Sequence, residues 1–379
     1  MKKIVLIPDS FKGTMSSIEV CDILKNSILK FMKTDIISVP VADGGEGSVD
    51  AFISALKGEK HFVEVQNPYG ENMQGFYGTV YNGKTAIIEM AACAGLPLVE
   101  NRKDPEKTTT YGVGQLMLNA IEKGCEHIIL GLGGSATNDA ATGCAVALGV
   151  KFFNKDNKEF IPTGGTLIDI SKIDTSNINP LLKNIKITIM CDIDNPLYGE
   201  NGAAYIFGPQ KGADEKMVKL LDKGLIHFAK CVEKDLGKDV STLAGGGAAG
   251  GMGAGMNAFF NAELCMGIET VLDTVNFDEL ITDADLVISG EGRIDGQSAR
   301  GKVVAGVANR ASKKNVPTIA IVGDVSDGFE NLYDMGLTAV FSINRLALDF
   351  SKVKSRAKKD LASVAEDIFR LIKVIEMKK

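Results

Sequence analysis

Short β-branched apolar runs, punctuated by glycine and alternating with amphipathic stretches, mark both ends of this chain. The run from Lys3 to Ile7 reads as a strand, the periodicity from Ser16 to about Met32 as a helix, and the run from Ile36 to Val41 as a second strand, together a βαβ unit. Near the other end, Asp285 to Ile288 and Pro317 to Val322 repeat the strand pattern, with helix-like segments over about 303–312 and 354–375. Continuous apolar runs suit strands covered on both faces, so the two ends are expected to form one doubly wound parallel sheet. From about residue 61 to 269 the texture differs. His61 to Val65 and Gly75 to Met90 alternate as antiparallel strands do, around an Asn82-Gly83 hairpin signal, and Ile128 to Leu130 and Ile185 to Met190 are short buried-strand candidates. The Gly- and Ala-rich stretch 245–255 reads as a surface for close packing rather than ligand contact.

At 379 residues the chain exceeds what a single core usually organises, so two domains are expected: a discontinuous one from 1–60 and 270–379, and an inserted α/β domain from 61–269. Crossovers near residues 60 and 270 are the expected hinges. Apolar residues make up 45% of the chain, with 42 glycines and no Trp, as in a globular α/β protein rich in tight loops. The net charge of −6 and the lack of a dense basic run before the C-terminal helix argue against nucleic acid. On such a protein an anionic ligand needs local cations, which makes Lys and Arg inside glycine loops informative. The seven cysteines are scattered without a CxxC pair, and three histidines leave little for a zinc site. The first apolar run is too short for a signal peptide and no stretch reaches the roughly 18 residues of a membrane span, so a cytoplasmic, membrane-free protein is expected.

Two literal motif matches differ in context. Gly78 to Thr85 fits the phosphate-loop spacing, but it lies between two strand-like runs where that loop needs a following helix, so a β-hairpin is expected. Gly131-Leu-Gly133-Gly-Ser-Ala136 is a GxGxxA match after a buried strand, with a helical stretch expected up to Leu148 and Asp156 downstream at the distance of a ribose carboxylate. Ser135, Thr137, Asn138 and Asp139 can each cap that helix, with or without a bound phosphate. Acidic loops recur in matching places: Asp9 after the first strand, Asp43 after the second, Asp192 and Asp194 after the Ile185 run, Glu291 after the Asp285 run. Ligands of open α/β sheets bind outside the carboxyl ends of strands, so these loops are candidates for one crevice. Lys12, Arg293 and Lys302 stand beside glycines there; surface ion pairing is the other account of Arg293 and Lys302. Carboxylates for a hard cation together with Lys and Arg for phosphate oxygens are the parts of phosphoryl transfer. None of His61, His127 and His227 lies in a glycine loop, so base chemistry falls to a carboxylate.

In combination, PDSFKG at 8–13, ADGGEG at 42–47, TTTYGVGQL at 108–116, GLGGSATND at 131–139, CDIDNP at 191–196, FGPQKGA at 207–213, GAAGGMGAG at 247–255 and GEGRID at 290–295 resemble the bacterial type of glycerate kinase over essentially the whole chain. The resemblance implies a Rossmann-like domain made from the two chain ends, a middle α/β domain, an active site in the interdomain cleft, and ATP-dependent phosphorylation of the small molecule D-glycerate with Mg²⁺, most often at the 2-hydroxyl. Asp192 is then expected to orient and deprotonate the hydroxyl, and Lys12 and Arg293 to meet oxygens of the moving phosphate or of the glycerate carboxylate. Asp9, Asp43 and Asp194 are the expected holders of Mg²⁺ or its waters. Ser10, Gly44, Gly45, Glu46, Gly133, Gly134, Ser135, Asn138, Asp139, Asn195, Glu291, Asp295 and Lys302 are the expected substrate and phosphate contacts. Where the family usually carries two glycines this chain has Ala140-Ala141, expected to favour the helix and stiffen its first turn. Arg300, before Gly301-Lys302, is a further candidate anion contact. The rival readings are an NAD-dependent hydroxy-acid dehydrogenase built on Gly131 to Ala136 and a catalytically silent sugar-acid binding protein.

Overall fold

The structure, a computed structural model, describes residues 1–42, 44–296, 298 and 302–378, so the expectations for Asp43 and Arg300 lie outside the described residues. In chain order the strands of the amino-terminal half are β1 (Lys3–Pro8), β2 (Asp35–Ser38), β3 (Glu59–Gln66), β4 (Asn72–Val80), β5 (Thr85–Glu89), β6 (His127–Gly131), β7 (Lys151–Phe153) and β8 (Glu159–Phe160). They continue with β9 (Lys172–Asp174), β10 (Lys186–Met190), β11 (Glu263–Cys265), β12 (Leu286–Gly290), β13 (Arg293–Ile294), β14 (Thr318–Val322), β15 (Asp324–Val325) and β16 (Leu337–Ser342). Two compact units emerge: unit 1 is Met1–Asp43, Asp50–Lys57 and Met266–Lys379, and unit 2 is Gly44–Val49 and Gly58–Cys265.

Unit 1 carries a parallel sheet in the order β16-β14-β12-β1-β2. The helix Ser17–Leu29 that joins β1 to β2 begins at a capping box: Ser16 Oγ accepts from Glu19 N at 3.2 Å, and Glu19 Oε2 accepts from Ser16 N at 3.0 Å. Its buried Val20, Leu24 and Ile28, one helical turn apart, pack with Ile4 and Leu6 of β1, Ile288 of β12 and the helix Ala357–Glu376 in a single core. The edge strand β16, with one fully buried position in six, lacks the continuous apolar run of its neighbours.

Unit 2 carries a mixed sheet in the order β11-β10-β6-β5-β4-β3, parallel from β5 to β11 and antiparallel through β3, β4 and β5. The segment matching a phosphate loop is the β4–β5 turn, with Tyr81, Asn82 and Gly83 all at positive φ, and no helix follows it. The hairpin expectation therefore holds. A small antiparallel sheet, β8-β7-β9, packs its Phe152 and Ile173 with Leu221, Leu225 and Phe228 of the helix Glu215–Leu236.

Two expectations for the middle of unit 2 are corrected. Residues 132–141 after β6 are irregular, and the helix there is the short Thr142–Ala147. Ala140 and Ala141 do not stiffen its first turn; they precede it at φ 50° and 62°, in the left-handed region that costs a non-glycine residue roughly 1–2 kcal/mol. Burial offsets this, since both methyl groups are fully enclosed in the unit 2 core. The reason for the conformation lies across the core. The helix Ala248–Phe260 opens with Ala249, Gly250 and Gly251 also left-handed, and Ala140 N donates to Gly250 O at 3.0 Å. A Cβ on Gly255 would overlap the Ala140 carbonyl and meet the Ala141 Cβ. The Gly-rich stretch is thus a packing surface, as expected, but for backbone against backbone.

Gly255→Ala should cost unit 2 about 1–3 kcal/mol by overpacking, or more because the obstructing atom is main chain. A urea midpoint equal to that of the native protein would contradict this contact.

Candidate active site

Each unit gathers its own set of loops at the carboxyl ends of its parallel strands. In unit 1 the loop after β1 and the loop after β12 lie side by side: Asp9 N donates to Gly290 O at 2.8 Å, and a Cβ on Gly292 would stand 3.3 Å from Lys12 N. Asp9 and Ser10 are half-buried, with Ser10 N donating to Asp9 Oδ1 at 2.6 Å, and Lys12 is exposed. Arg293 projects into solvent and its Nε and Nη2 donate to Ser326 Oγ at 2.9 and 2.6 Å. Lys302 Nζ stands 3.6 Å from carboxylate oxygens of both Glu291 and Asp295, so an ion pair is present. Glu291 is 6% exposed, and burial pushes its carboxyl up to about 7 despite the pull of Lys302.

In unit 2 the loops carrying Gly44 and Gly45, Gly131 to Ser135, and Asp192 to Asn195 converge. Gly133 N donates to Gly44 O at 3.1 Å, and a Cβ on Gly44 would stand 2.9 Å from Met190 Cβ, at the end of the strand that leads into Asp192. A Cβ on Gly131 would overlap the Gly44 carbonyl, so the contact needs glycine. Glu46, Gly134, Asp192 and Asp194 are exposed at this edge, and Asn195 is half-buried with its Nδ2 donating to Asn201 O at 2.8 Å. The buried Glu89, at the end of β5, accepts from Val49 N at 2.7 Å and so tethers the start of the helix Ser48–Leu56 behind Gly44–Gly47.

Asn138 and Asp139 lie beneath that edge, fully buried. Asp139 Oδ2 accepts from Thr110 N at 2.8 Å, Thr110 Oγ1 at 2.9 Å and Gly143 N at 3.2 Å. Its Oδ1, both amide atoms of Asn138 and Thr137 Oγ1 find no partner among the described residues. Desolvation raises the Asp139 pKa, against those hydrogen bonds. The dinucleotide reading fails at this point. No helix opens at Gly133 to Ser135, the N-terminus a pyrophosphate would use, and Asp156 sits on the exposed β7–β8 turn. The histidines are engaged structurally: His61 with Thr79 Oγ1 at 2.8 Å, His127 with Thr188 Oγ1 at 2.9 Å, and His227 with Ile170 O at 2.6 Å.

One prominent residue was absent from the expected set. Lys211 is 2% exposed, and its Nζ donates to Ser135 Oγ at 2.9 Å and Thr137 O at 2.7 Å, holding the glycine loop from behind. Lys211-Gly212 satisfies the cation-beside-glycine criterion that drew attention to Lys12 and Arg293. Burial pushes its amine down from 10.5 to about 7, with Asp139 pulling the other way. Between those values the unfolded chain holds a proton that the folded chain lacks, so stability rises with pH across that window. The thermal midpoint of the native protein should therefore climb relative to that of Lys211→Met between pH 7 and 9, whereas a constant difference would contradict a buried neutral amine.

The glycerate kinase family model matches residues 4–373. Among curated proteins, the chain is 47% identical to a glycerate 2-kinase of Escherichia coli K12 over 90% of each chain, and 45% identical to a glycerate kinase of Bacillus cereus over 99% of each. Among solved structures, a candidate glycerate kinase 2 from Salmonella typhimurium LT2 superposes with a TM-score of 0.90 at 40% identity, covering 99% of both chains. The chain, with its two-unit α/β fold and glycine-rich loops at strand ends, belongs to the glycerate kinase family.

Proposed function

We propose that this protein transfers the γ-phosphoryl group of ATP to a hydroxyl of D-glycerate, giving 2-phosphoglycerate. Family membership over nearly the whole chain carries the proposal. Its support in the molecule is the division of chemistry between loops: exposed carboxylates Asp192 and Asp194 follow β10 in unit 2, and Lys12 and Arg293 lie on adjoining loops of unit 1. Phosphoryl transfer depends on alignment and on neutralising charge, which is work for rigid backbone and fixed cations.

Asp192 orients the glycerate hydroxyl and takes its proton. Lys12 and Arg293 meet oxygens of the transferring group or the substrate carboxylate. Glycine backbone at 44–45 and 133–134, with Ser135 fixed by Lys211, lets the small acid approach the main chain closely. Ser10, Glu291, Asp295 and Lys302 on the unit 1 loops and Glu46 and Asn195 on the unit 2 loops are further polar contacts, and Asn138 and Asp139 support the unit 2 loops from below. Among the described residues no cluster of three or more carboxylate, His or Cys side chains forms a closed metal cage. An exposed carboxylate, as at Asp194, suits Mg²⁺, which keeps several waters and takes one or two carboxylates beside substrate phosphates. Bound there, or by Asp9 and Asp43, the ion would offset phosphate charge. No helix among the described residues is long and apolar enough to cross a membrane, and scattered cysteines without a CxxC pair suit a reducing cytoplasm.

With MgATP and glycerate, a coupled assay should register ADP release, which neither a silent binding protein nor a dehydrogenase would give. Asp192→Asn should lower kcat by about 100-fold or more, within the range typical of a lost general base, and leave the KM for ATP nearly unchanged. Turnover near the native rate would remove Asp192 from the role of base.

A further inference from the structure

The unit 1 sheet reverses its direction of growth between two neighbouring strands. From β1 the chain moves outward to β2, and from β12 it moves the opposite way to β14 and then β16. In open parallel sheets, ligands collect at the carboxyl ends beside such a reversal. A cavity of about 180 Å³ opens there, bounded by residues that follow β1, β12, β14 and β16 and closed by the segment leading into the helix Ala357–Glu376.

Its wall is largely apolar, formed by Phe11, Ile343, Leu348, Phe350 and Val353. Phe11 and Ile343 belong to the buried core, whereas Leu348 is 48% and Phe350 61% exposed. Large apolar side chains held in water around a concavity need an occupant. Polar groups stand at selected points of the lining: the cations Lys12 and Lys354, the carboxylates of Asp324 and of Asp360, the latter paired with Arg356, the amide of Asn344 and the hydroxyl of Thr14. A cavity of about 150 Å³ walled by apolar side chains already takes a benzene ring, so a planar heterocycle that extends through an open side is the matching size. Glycerate is a poor match, because its hydroxyls and carboxylate would give up water to an apolar wall.

We propose that this cavity receives the adenine base of the nucleoside triphosphate, with the phosphate chain leading towards Lys12. The assignment rests on the kinase reading above and gives its donor a location within unit 1. Phe350 and Leu348 form the exposed wall against which the ring packs, and Asp324 and Asn344 face the exocyclic amine and ring nitrogens. Lys12 then serves both as cavity lining and as a contact for phosphate oxygens, which fixes the direction of the bound nucleotide.

The test uses the full-length protein and ADP as the probe, measured by calorimetry, beside steady-state kinetics with ATP and glycerate. Leu348→Ala and Phe350→Ala alter exposed positions and leave the core intact; each should weaken ADP binding and raise the KM for ATP about five- to tenfold, with the KM for glycerate changed less than about twofold. Val353→Trp, which fills the cavity from a half-buried position, should weaken ADP binding at least as much. If all three variants bind ADP like the native protein and keep its KM for ATP, the base lies elsewhere even though the kinase reading stands. If they lose ADP affinity while the native protein releases no ADP with glycerate, the cavity assignment holds and the proposed acceptor is wrong.

Discussion

Two main-chain segments can touch only where no side chain stands between them, and unit 2 is organised around two such contacts. In one, Gly131 and Gly133 lie against Gly44 and Gly45; in the other, Gly250, Gly251 and Gly255 lie against residues 137 to 141. The first brings loops from separate strands to one edge of the sheet. The second holds residues 132–141 in an irregular course where a helix would otherwise continue from β6. Because the partners are carbonyls and α-carbons, neither contact can adjust by rotating a side chain, and each fixes its loop much as a strand pairing would. Lys211 completes the arrangement with two hydrogen bonds from beneath.

Much of this was legible in the amino-acid order because the relevant signals are local. A β-branched run, a capping Ser16 with Glu19, and Asn82-Gly83 between alternating strands each determine their surroundings within a few residues. The acidic loops were legible for a related reason: charge beside glycine directly after an apolar run marks a strand end. Ala140 and Ala141 were not legible, since alanine favours a helix and what forces it left-handed is a contact with glycines more than a hundred positions away. The edge strand β16 escaped because its pattern is mostly half-buried. Lys211 escaped because lysine defaults to the surface, and only the three-dimensional packing encloses it.

Charge is distributed in keeping with this economy. An acidic protein that must handle anions places its cations where backbone amides and carboxyl ends of strands already define a geometry, at Lys12, Lys302 and Lys211. Each has a different setting: open to solvent, paired with two carboxylates, or wholly enclosed. The same residue type therefore spans an exposed charge, an ion-paired one and an enclosed amine that burial pushes towards neutrality.

The pairing of β1 with β12 also governs how the molecule is made. Ser289 Oγ reaches Ile7 O across 282 residues of chain, so the central ladder of unit 1 stays open until just over three-quarters of the protein has been made. All of unit 2 is synthesised in the interval and can condense first as a self-contained insert. β1 and β2 must wait meanwhile with an unpaired edge, the kind of exposed strand that invites association with other chains. The capped helix Ser17–Leu29, stabilised by contacts within its own turns, lies between them in the chain and can shelter their apolar face during that wait.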